Sequence, residues 1–322
     1  MVLLTGATGF LGTHIAGKLL QEKIPFKVLV RPNSQLSSLK DLPVEKVLGN
    51  PFSIDSLQET FDGVETIIHC AGVTKGISYQ DYYKGNVLYT ENLIQAAKKY
   101  GKINKFILIS SQAASGPSAE NGSLKKEGEL DNPFTFYGIS KLEAEKKLEA
   151  SGLPYLVLRP CSIYGPGDHE FFPLFKLAKK KISFFVGKGN NQVNLIHVKD
   201  MADAVVQAVR TPISRQVYFV AGDGEYSWKD VNRFAEEAVG KKTFKIKLPK
   251  WTAVVFGFLV SFFAEILRKP FLLNKEKIRE MLCPYWVFDS SKIKKDLNFE
   301  PKILPQEGFK ETFQWYRKEG WL

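Results

Sequence analysis

Cysteine and histidine are scarce in this sequence of 322 residues, which contains three cysteines and four histidines. Cys70, Cys161 and Cys283 are odd in number and share no short spacing, so the pattern excludes a disulfide framework and a cysteine-bound zinc cluster. The Asp-His-Glu run at 168–170 stands alone, and adjacent side chains do not converge on one ion without ligands from elsewhere. We therefore predict no metal site and a reducing compartment.

A secretory leader pattern is also absent, because the sequence begins with the strand-like run Met1-Val2-Leu3-Leu4. The lysine runs at 179–181 and in the 240s have no interleaved aromatic residues at a spacing that suits base stacking, so we expect no nucleic-acid partner. Lysine and arginine (45) exceed aspartate and glutamate (34), and the net charge of +11 favours anionic partners such as phosphorylated cofactors or acidic lipid. We expect a cytoplasmic protein.

Short apolar runs alternate with helical patterns through the first half of the chain. The runs typical of buried strands are Val2–Leu4, Phe26–Val30, Thr66–Cys70, Lys105–Ser110 and Tyr155–Arg159, and the helical patterns cover His14–Gln21, Asp55–Thr60, Tyr83–Lys99 and Ser140–Ala150. This alternation predicts βαβ units and hence an α/β fold, in which helices cover both faces of a doubly wound parallel sheet.

The pattern changes from about Gly222 onward, with more lysine, an apolar stretch at 251–267 and a helical pattern at 309–321. The segment from Pro160 to Gly167 reads as a loop that leaves the sheet. We predict a nucleotide-binding domain over residues 1–165, to which residues 190–222 return. A smaller substrate-binding region at the C-terminal side is predicted over residues 166–189 and 223–322.

Three glycines, Gly6, Gly9 and Gly12, stand in the run L-T-G-A-T-G-F-L-G between an apolar strand and a helical pattern. In this context Gly6 permits a tight turn, Gly9 lets a pyrophosphate approach the backbone, and Gly12 lets helix and strand pack closely. The anion then rests at the helix N-terminus, where free N–H groups and the helix dipole favour it. We predict a Rossmann-type dinucleotide site made by Gly6, Thr8, Gly9, Phe10, Leu11 and Gly12.

The end of the second predicted strand indicates which dinucleotide binds. Arg31, in the run V-L-V-R-P-N-S, stands where a carboxylate would otherwise bind the adenosine ribose. A guanidinium pairs with a 2′-phosphate, and Ser34 offers a further hydroxyl. This favours NADP(H), while NAD remains the alternative because an arginine at a strand end can also be a solvated surface residue.

The run Y-G-I-S-K places Tyr137 and Lys141 four residues apart in a helical pattern, so both lie on one helix face. An ammonium beneath a phenol favours the phenolate and lowers the phenol's pKa from its usual value of about 10. Such a phenol can exchange a proton with a substrate hydroxyl while a hydride moves to or from a nicotinamide. The spacing is equally common on solvated helix surfaces, so the pair gains meaning only from its neighbours.

Four further runs accompany these motifs. They are I-L-I-S-S-Q-A-A-S-G at 107–116, R-P-C-S-I-Y-G-P-G-D at 159–168, H-V-K-D-M-A-D-A-V at 197–205 and Y-W-V-F-D-S-S-K-I-K-K-D-L-N-F-E-P at 285–301. Together the motifs resemble the extended short-chain dehydrogenase/reductase superfamily over nearly the whole chain. Within it they are similar to the dihydroflavonol-reductase-like and hydroxysteroid-dehydrogenase-like branches of the NAD(P)-dependent epimerase/dehydratase family. The resemblance implies an NAD(P)-dependent enzyme and a homodimer.

The resemblance also implies roles for single residues. Tyr137 would be the acid/base, Lys141 would lower its pKa and hold the cofactor ribose, and Ser111 would hold the substrate oxygen. We choose Ser111 over Ser110 because the family's serine loop ends with a glycine five residues after the catalytic serine, as Gly116 does here. Asn86, beside the cofactor-bearing strands, is grouped with these catalytic residues. The resemblance also implies that Cys70, Ala71 and Gly72 line the cofactor ribose, and that Pro160, Ser162 and Ile163 face the nicotinamide amide.

Departures from the family pattern narrow the reaction. Gln112 and Ala113 stand where sugar-nucleotide dehydratases carry carboxylates, and Val193 and Asn194 stand where epimerases often carry an arginine that clamps a diphosphate. We therefore predict an NADP(H)-dependent oxidoreductase that interconverts a ketone and a secondary alcohol on a partly apolar small molecule. A sugar or sugar-nucleotide epimerase is the alternative, and a dinucleotide-sensing protein without chemistry is a third hypothesis.

The run from Trp251 to Leu267 is the most apolar stretch of the chain. Ser261 and Glu265 interrupt it, and it is shorter than the ~20 apolar residues that a membrane span needs. We interpret it first as a buried helix over the substrate pocket, with a subunit contact and a membrane-surface helix as alternatives. The basic residues that flank it, Lys247, Lys250, Arg268 and Lys269, suit an anionic bilayer, so peripheral membrane contact and a lipid-like substrate stay open.

Overall fold

Strands and helices alternate along the chain in the computed structural model, which describes residues 1–32, 34–36, 39–40, 42–267 and 275–322, without the side chains of 262–265. The strands are β1 (Val2–Thr5), β2 (Phe26–Val30), β3 (Glu45–Leu48), β4 (Thr66–His69), β5 (Lys105–Ile109), β6 (Tyr155–Pro160), β7 (Ser162–Tyr164), β8 (Ile182–Val186), β9 (Gln192–Val193), β10 (Leu195–His197), β11 (Gln216–Val220), β12 (Tyr226–Ser227), β13 (Phe244–Leu248) and β14 (Tyr285–Trp286). The α-helices are α1 (Phe10–Gln21), α2 (Tyr79–Tyr82), α3 (Tyr89–Tyr100), α4 (Phe136–Ala150), α5 (Phe172–Lys179), α6 (Val198–Arg210), α7 (Trp228–Val239), α8 (Lys250–Leu267), α9 (Lys275–Leu282), α10 (Ser291–Leu297) and α11 (Pro305–Lys318).

Seven strands form one parallel sheet in the order β3-β2-β1-β4-β5-β6-β11. Leu4 of β1 pairs with Val28 of β2 on one side and with Ile68 of β4 on the other. The chain therefore winds outward from β1 in both directions, which is the doubly wound Rossmann-type topology predicted from the sequence. Ligands of such sheets bind at the carboxyl ends of the strands beside this switch point.

Apolar helix faces cover both faces of the sheet, as the alternation predicted. On one face Ile15 of α1 and Val205 of α6 are fully buried in one core cluster. On the other face Leu93 of α3 and Leu148 of α4 are fully buried in a second cluster. A third, aromatic cluster that includes Phe234 joins α5, α7 and α11 in the C-terminal part of the chain.

The structure differs from the predicted elements at several places. Helix α1 begins at Phe10, four residues before the predicted start, because the glycine run itself makes the turn into the helix. The segment Ile54–Phe61 is a 3₁₀ helix. Strand β3 was not predicted, because its residues are mostly exposed at the sheet edge and lack an apolar run. The predicted loop at 160–167 contains β7, which pairs in parallel with β10.

Small sheets lie outside the seven-stranded one. Strand β9 pairs with β12 and β14, and β8 pairs in parallel with β13. The β8–β13 pair joins residues 182–186 to residues 244–248, so it connects the two sequence segments that we assigned to the smaller region.

Helix α8 covers the apolar run, and its interpretation as a buried helix is wrong for the described side chains. Trp251 is 67% exposed and Phe258 is 63% exposed. The reason is that α8 packs on α9, where Gly257 lies against Ile278, and leaves most of its large apolar side chains in solvent. The flanking residues Arg268 and Lys269 lie outside the described residues. Over the part of the chain that the structure describes, no helix is long and apolar enough to cross a membrane.

Candidate active site

The glycine run forms a tight cradle between β1 and α1. Gly6 has a φ of +73°, and a Cβ there would lie 2.5 Å from the backbone nitrogen of Ala71. A Cβ on Gly12 would lie 2.0 Å from the Gly6 carbonyl oxygen. Both positions therefore require glycine, since any side chain would push α1 away from β1 and β4. Gly9 is the N-cap of α1 and offers no side-chain cap, so the helix N-terminus keeps N–H groups for an anion.

Two more residues of the predicted motif open the helix. Phe10 packs edge-on against His14, with ring centroids 5.8 Å apart, while Leu11 is buried in the core. Thr8 lies in the turn between Gly6 and Gly9. This cradle, with its close backbone approach and uncapped helix start, fits the pyrophosphate of a dinucleotide.

Arg31 follows β2 directly and is exposed. Its backbone N–H donates to the Ser34 hydroxyl at 3.1 Å, and the Ser34 N–H donates to the Arg31 carbonyl at 3.0 Å. The Arg31 charge also acts on Tyr89: burial raises the pKa of Tyr89 to about 12, and this charge opposes that rise. The structure thus brings Arg31 and Ser34 together at the strand end, where the adenosine ribose of a dinucleotide binds in this topology.

Cys70, Ala71 and Gly72 follow β4, next to the glycine cradle. The N–H of Cys70 donates to the Thr5 carbonyl, and the N–H of Ala71 donates to the Thr5 hydroxyl, both at 3.3 Å. A Cβ on Gly72 would lie 2.9 Å from Asn86 Oδ1 and 3.8 Å from Lys141 Nζ. The loop after β4 therefore connects the phosphate cradle to the helix that carries Lys141.

Asn86 lies in a π-helical turn, is 2% exposed and uses its amide group entirely for the scaffold. Its Oδ1 accepts the N–H of Val73 at 2.7 Å, and its Nδ2 donates to the Val73 carbonyl at 3.0 Å and to the Ser140 hydroxyl at 2.9 Å. These bonds fix the loop after β4 against α4. These contacts are those of a residue that positions the site.

Ser111 and Tyr137 come together where β5 ends and α4 begins. The Ser111 side chain lies close enough to the Tyr137 phenol to act on its pKa. Gly138 makes this approach fit, because a Cβ there would lie 2.3 Å from the Ala113 carbonyl oxygen in the serine loop. Ser110 instead points to the Glu145 carboxylate. The geometry therefore distinguishes the two serines, and Ser111 is the one beside the phenol.

The pKa of Tyr137 is raised, and burial is the main cause. The neighbouring Ser111 side chain and the charge of Lys277 lower it, while the charges of Glu170 and Glu280 raise it. The expectation of a lowered pKa therefore does not hold in this structure, because desolvation of the phenolate outweighs the favourable neighbours. The phenol is held in its protonated form at neutral pH.

Lys141 lies one helical turn after Tyr137 and is 5% exposed. Its ammonium donates to the Ile109 carbonyl at 2.6 Å. Burial lowers the pKa of Lys141 to about 8, while the negative charge of Glu145 and the nearby Cys70 act against the fall. The same ammonium and burial hold His69 neutral, with a pKa lowered to about 3. The Lys141 charge is therefore titratable close to physiological pH.

A buried charge network behind the site was not predicted. Arg159 of β6 binds Asp131 through two 2.8 Å hydrogen bonds and binds Glu145 at 2.6 Å. Glu145 also accepts a hydrogen bond from Ser110. The only signal in the sequence was the spacing of Tyr137, Lys141 and Glu145 at four-residue intervals, which places them on one face of α4.

Carboxylates of α9 reach the start of α4, which the sequence also did not predict. Glu276 accepts the backbone N–H of Phe136 at 3.0 Å. Lys277 forms ion pairs with Glu280 at 3.3 Å and with Glu170 at 3.6 Å. A charged cluster from the C-terminal region therefore faces the first turn of the helix that carries Tyr137.

Pro160, Ser162 and Ile163 lie at the carboxyl end of β6 and in β7. The N–H of Ser162 donates to the Asn194 carbonyl at 3.3 Å, and Ile163 pairs with Ile196 of β10. Part of the backbone predicted to face a nicotinamide amide is therefore used by the β7–β10 pair.

In the serine loop the Oε1 of Gln112 is buried without a hydrogen-bond partner among the described residues.

Known proteins resemble this chain over its whole length. A ceramide reductase of Caulobacter vibrioides is 33% identical, and the match covers 100% of this chain and 96% of the relative. The decarboxylating sterol-4-alpha-carboxylate 3-dehydrogenase of Saccharomyces cerevisiae is 26% identical, with 98% and 97% covered. A crystal structure of UDP-glucose 4-epimerase with UDP-glucose from Thermotoga maritima has the same fold, with a TM-score of 0.81, 21% identity and 99% of each chain covered.

The sequence model of the NAD dependent epimerase/dehydratase family matches residues 2–221, which include the glycine cradle, the serine loop and the Tyr137 helix. The resemblance to extended short-chain dehydrogenases/reductases is thereby confirmed. The chain belongs to the NAD-dependent epimerase/dehydratase family and is an NAD(P)-dependent enzyme of the extended short-chain dehydrogenase/reductase type.

Proposed function

We propose that the protein is an NADP(H)-dependent oxidoreductase that interconverts a ketone and a secondary alcohol on a partly apolar substrate. The observation that carries this proposal is that the Ser111 side chain lies beside the Tyr137 phenol, one helical turn before the buried Lys141. This arrangement supplies a proton donor, a second hydrogen-bonding group for a substrate oxygen and a nearby positive charge in one place.

In the reducing direction Tyr137 donates its phenolic proton to the substrate oxygen, while Ser111 holds that oxygen by a hydrogen bond. A nicotinamide cofactor, when bound, would supply the hydride in this direction and accept it in the other. Burial raises the pKa of Tyr137, so the phenol is protonated and ready to donate at neutral pH. The Lys141 ammonium stabilises the phenolate that forms. Asn86 keeps the loop after β4 in register with α4.

The same chain provides the groups that would hold the cofactor. The cradle at Gly6, Gly9 and Gly12 receives the pyrophosphate, and the Arg31 guanidinium with the Ser34 hydroxyl receives a 2′-phosphate. Exchange of Arg31 for alanine tests the preference for NADP(H) over NAD(H). We expect Arg31→Ala to weaken NADPH binding by about tenfold or more and to change NADH binding little. Equal loss for both dinucleotides would contradict the assignment.

A lipid-like substrate is supported by the exposed apolar side chains of α8 and by the relatives, one named a ceramide reductase and one a sterol-carboxylate dehydrogenase. Residues 166–189 and 223–322 form the substrate-binding region in this proposal.

We further propose that the protein is a cytoplasmic homodimer and that residues 251–267 contact a membrane.

The alternative is a sugar-nucleotide epimerase. Epimerases often carry an arginine that clamps the substrate diphosphate, and this chain has Val193 and Asn194 at that place. Asn194, near the place of that clamp, donates from its amide to the Gly224 carbonyl and accepts the N–H of Phe288 at 2.6 Å. Its side chain is therefore engaged within the protein.

Exchange of Tyr137 tests the assignment of the acid/base. Tyr137→Phe keeps the ring and removes the proton donor, and we expect turnover with NADPH and apolar ketones to fall by at least about a hundredfold. Tyr100→Phe is the matched control, because the Tyr100 hydroxyl donates to the exposed Asp55 carboxylate and, among the described residues, contacts none of those in the site. Turnover of Tyr137→Phe within a few-fold of the wild type would overturn the proposal.

A further inference from the structure

Helix α8 presents a broad apolar surface to solvent. The exposed side chains are Trp251, Val254, Val255, Phe256, Phe258, Leu259, Ile266 and Leu267. At ~100° per residue, six of the eight fall within about 140° of the helix circumference, so they form one continuous face. A contiguous apolar face of this kind marks a contact with a partner or a membrane.

A basic segment leads directly into this helix. Residues 241–250, K-K-T-F-K-I-K-L-P-K, contain five lysines and no acidic residue. Lys245 and Lys247 on β13 and Lys250 at the start of α8 are exposed, and Phe244 beside them is 74% exposed. Lysines next to exposed aromatic and aliphatic side chains form the pattern by which helices lie on anionic lipid.

We infer that α8 and the basic segment 241–250 dock on the surface of an anionic bilayer. Charge complementarity selects this occupant over a second copy of the chain, because a two-fold contact through α8 would bring like-charged lysine segments near each other. The protein as a whole carries a net charge of +11, which adds to the attraction. The helix lies on the bilayer and does not span it, since no described helix meets the requirement for a span.

The docking helix is joined through α9 to the helix that carries Tyr137. Ser261 of α8 accepts the backbone N–H of Lys275 at 2.9 Å. Glu276, the next residue of α9, accepts the N–H of Phe136, the residue before Tyr137. Docking on the bilayer therefore brings lipid to the side from which α9 contacts the site. This part of the inference rests on the proposed function, while the docking itself does not.

Vesicle sedimentation at low salt tests the docking without substrate or cofactor. We expect the full-length protein to bind vesicles of phosphatidylglycerol and phosphatidylcholine, and to bind vesicles of phosphatidylcholine alone much more weakly. High salt should release it, because the charge attraction is screened. Absence of binding to the anionic vesicles at low salt would overturn the inference.

Matched pairs of variants locate the contact. Trp251→Gln with Phe258→Gln should lower the bound fraction by about tenfold, whereas Leu130→Gln, an apolar-to-polar change at a residue that is 85% exposed elsewhere, should not. Lys245→Glu with Lys247→Glu should also release the protein, whereas the same charge change at the exposed Lys310 and Lys318 of α11 should release it less. Equal effects of the test and control variants would contradict docking through α8.

Two outcomes separate this inference from others. If the α8 variants abolish self-association in light scattering and leave vesicle binding intact, α8 is a contact between copies and the inference is wrong. Tyr137→Phe must bind vesicles as the wild type does, since it leaves α8 unchanged. A protein that binds vesicles but shows no ketone reduction would keep the docking and remove the proposed function.

Discussion

The carboxylate of Glu276 accepts a hydrogen bond from the backbone N–H of Phe136, with its two oxygens 3.0 and 3.2 Å from the nitrogen. A carboxylate at the first turn satisfies an N–H that the helix leaves without a partner and interacts favourably with the helix dipole. Because Tyr137 is the next residue, this contact fixes the turn that carries the phenol.

Removal of this carboxylate should loosen the turn that carries Tyr137. We expect Glu276→Ala to lower kcat by about fivefold to thirtyfold, corresponding to ~1–2 kcal/mol for a lost helix cap, with little change in dinucleotide affinity. Glu276→Gln retains an acceptor oxygen and should lose less. Steady-state kinetics measure the effect on turnover, and amide hydrogen exchange at Phe136 should rise in step with it. A change in KM alone would contradict the positioning role.

Gly12→Ala should abolish dinucleotide binding, because the added Cβ would lie 2.0 Å from the Gly6 carbonyl oxygen and force α1 away from the cradle. Gly17→Ala in the same helix is the matched control, since a Cβ there meets nothing within 4 Å. The control should bind dinucleotide normally and unfold at higher urea, with a gain of up to about 1 kcal/mol from helix propensity. Titration calorimetry and urea unfolding of both variants check these results. Normal binding by Gly12→Ala would contradict the cradle.

The pH dependence of reduction should follow Lys141. The pKa of this ammonium is about 8, and the stabilising positive charge is lost as the pH rises through that value. Glu145 raises this pKa, so Glu145→Gln should lower it and move the alkaline limb of kcat/KM to lower pH. Lysine carbon NMR of the nucleotide-free protein measures the same pKa independently of activity.

Asp131→Asn is the control for this experiment. It removes the other carboxylate that binds Arg159, but Asp131 is not among the charges that act most strongly on Lys141. It should therefore leave the alkaline limb nearly in place. If the alkaline limb of kcat/KM shifts equally in both variants, the cause is a general loss of packing around Arg159. That result would contradict a specific effect of Glu145.

Asp168 should make the stability of the fold depend on pH. It is 2% exposed, and burial raises its pKa to about 7 although its oxygens accept the N–H groups of Glu170 and Phe171. A carboxyl group with a raised pKa stabilises the folded state at low pH, and that contribution is lost as the pH rises from about 4 through about 7.

The comparison with Asp168→Asn, which cannot titrate, isolates this contribution. Over that pH window the wild type should lose stability relative to the variant, by about 1.4 kcal/mol for each pKa unit of the shift. Urea unfolding of both proteins at a series of pH values measures the difference. A difference that stays constant with pH, or that changes in the opposite direction, would contradict the raised pKa.

The sequence predicted features that depend on local geometry. The requirement for glycine at Gly6 and Gly12 follows from a tight turn and a close helix, and the spacing of Tyr137 and Lys141 follows from the helical period, so both motifs could be interpreted without knowledge of distant residues. The parallel sheet was predicted for the same reason, because its buried strands are short continuous apolar runs.

Features that depend on distant partners could not be predicted. Arg159 meets Asp131 and Glu145 only because β6 and α4 are neighbours in the fold, and Glu276 is separated from Phe136 by 140 residues. Strand β3 was not predicted, because an exposed edge strand has no apolar run. The apolar pattern of α8 predicted that this helix contacts apolar groups. It did not indicate whether those groups belong to the protein itself or to a partner or membrane.

Mass spectrometry of the nucleotide released when freshly purified protein is denatured tests the proposed reaction most directly. An oxidoreductase that exchanges its cofactor in each cycle should release little nucleotide, or NADP(H) that added NADPH readily replaces. An epimerase that oxidises and re-reduces the same carbon retains its cofactor. Release of near-stoichiometric NAD⁺ would therefore contradict the oxidoreductase and the role of Arg31.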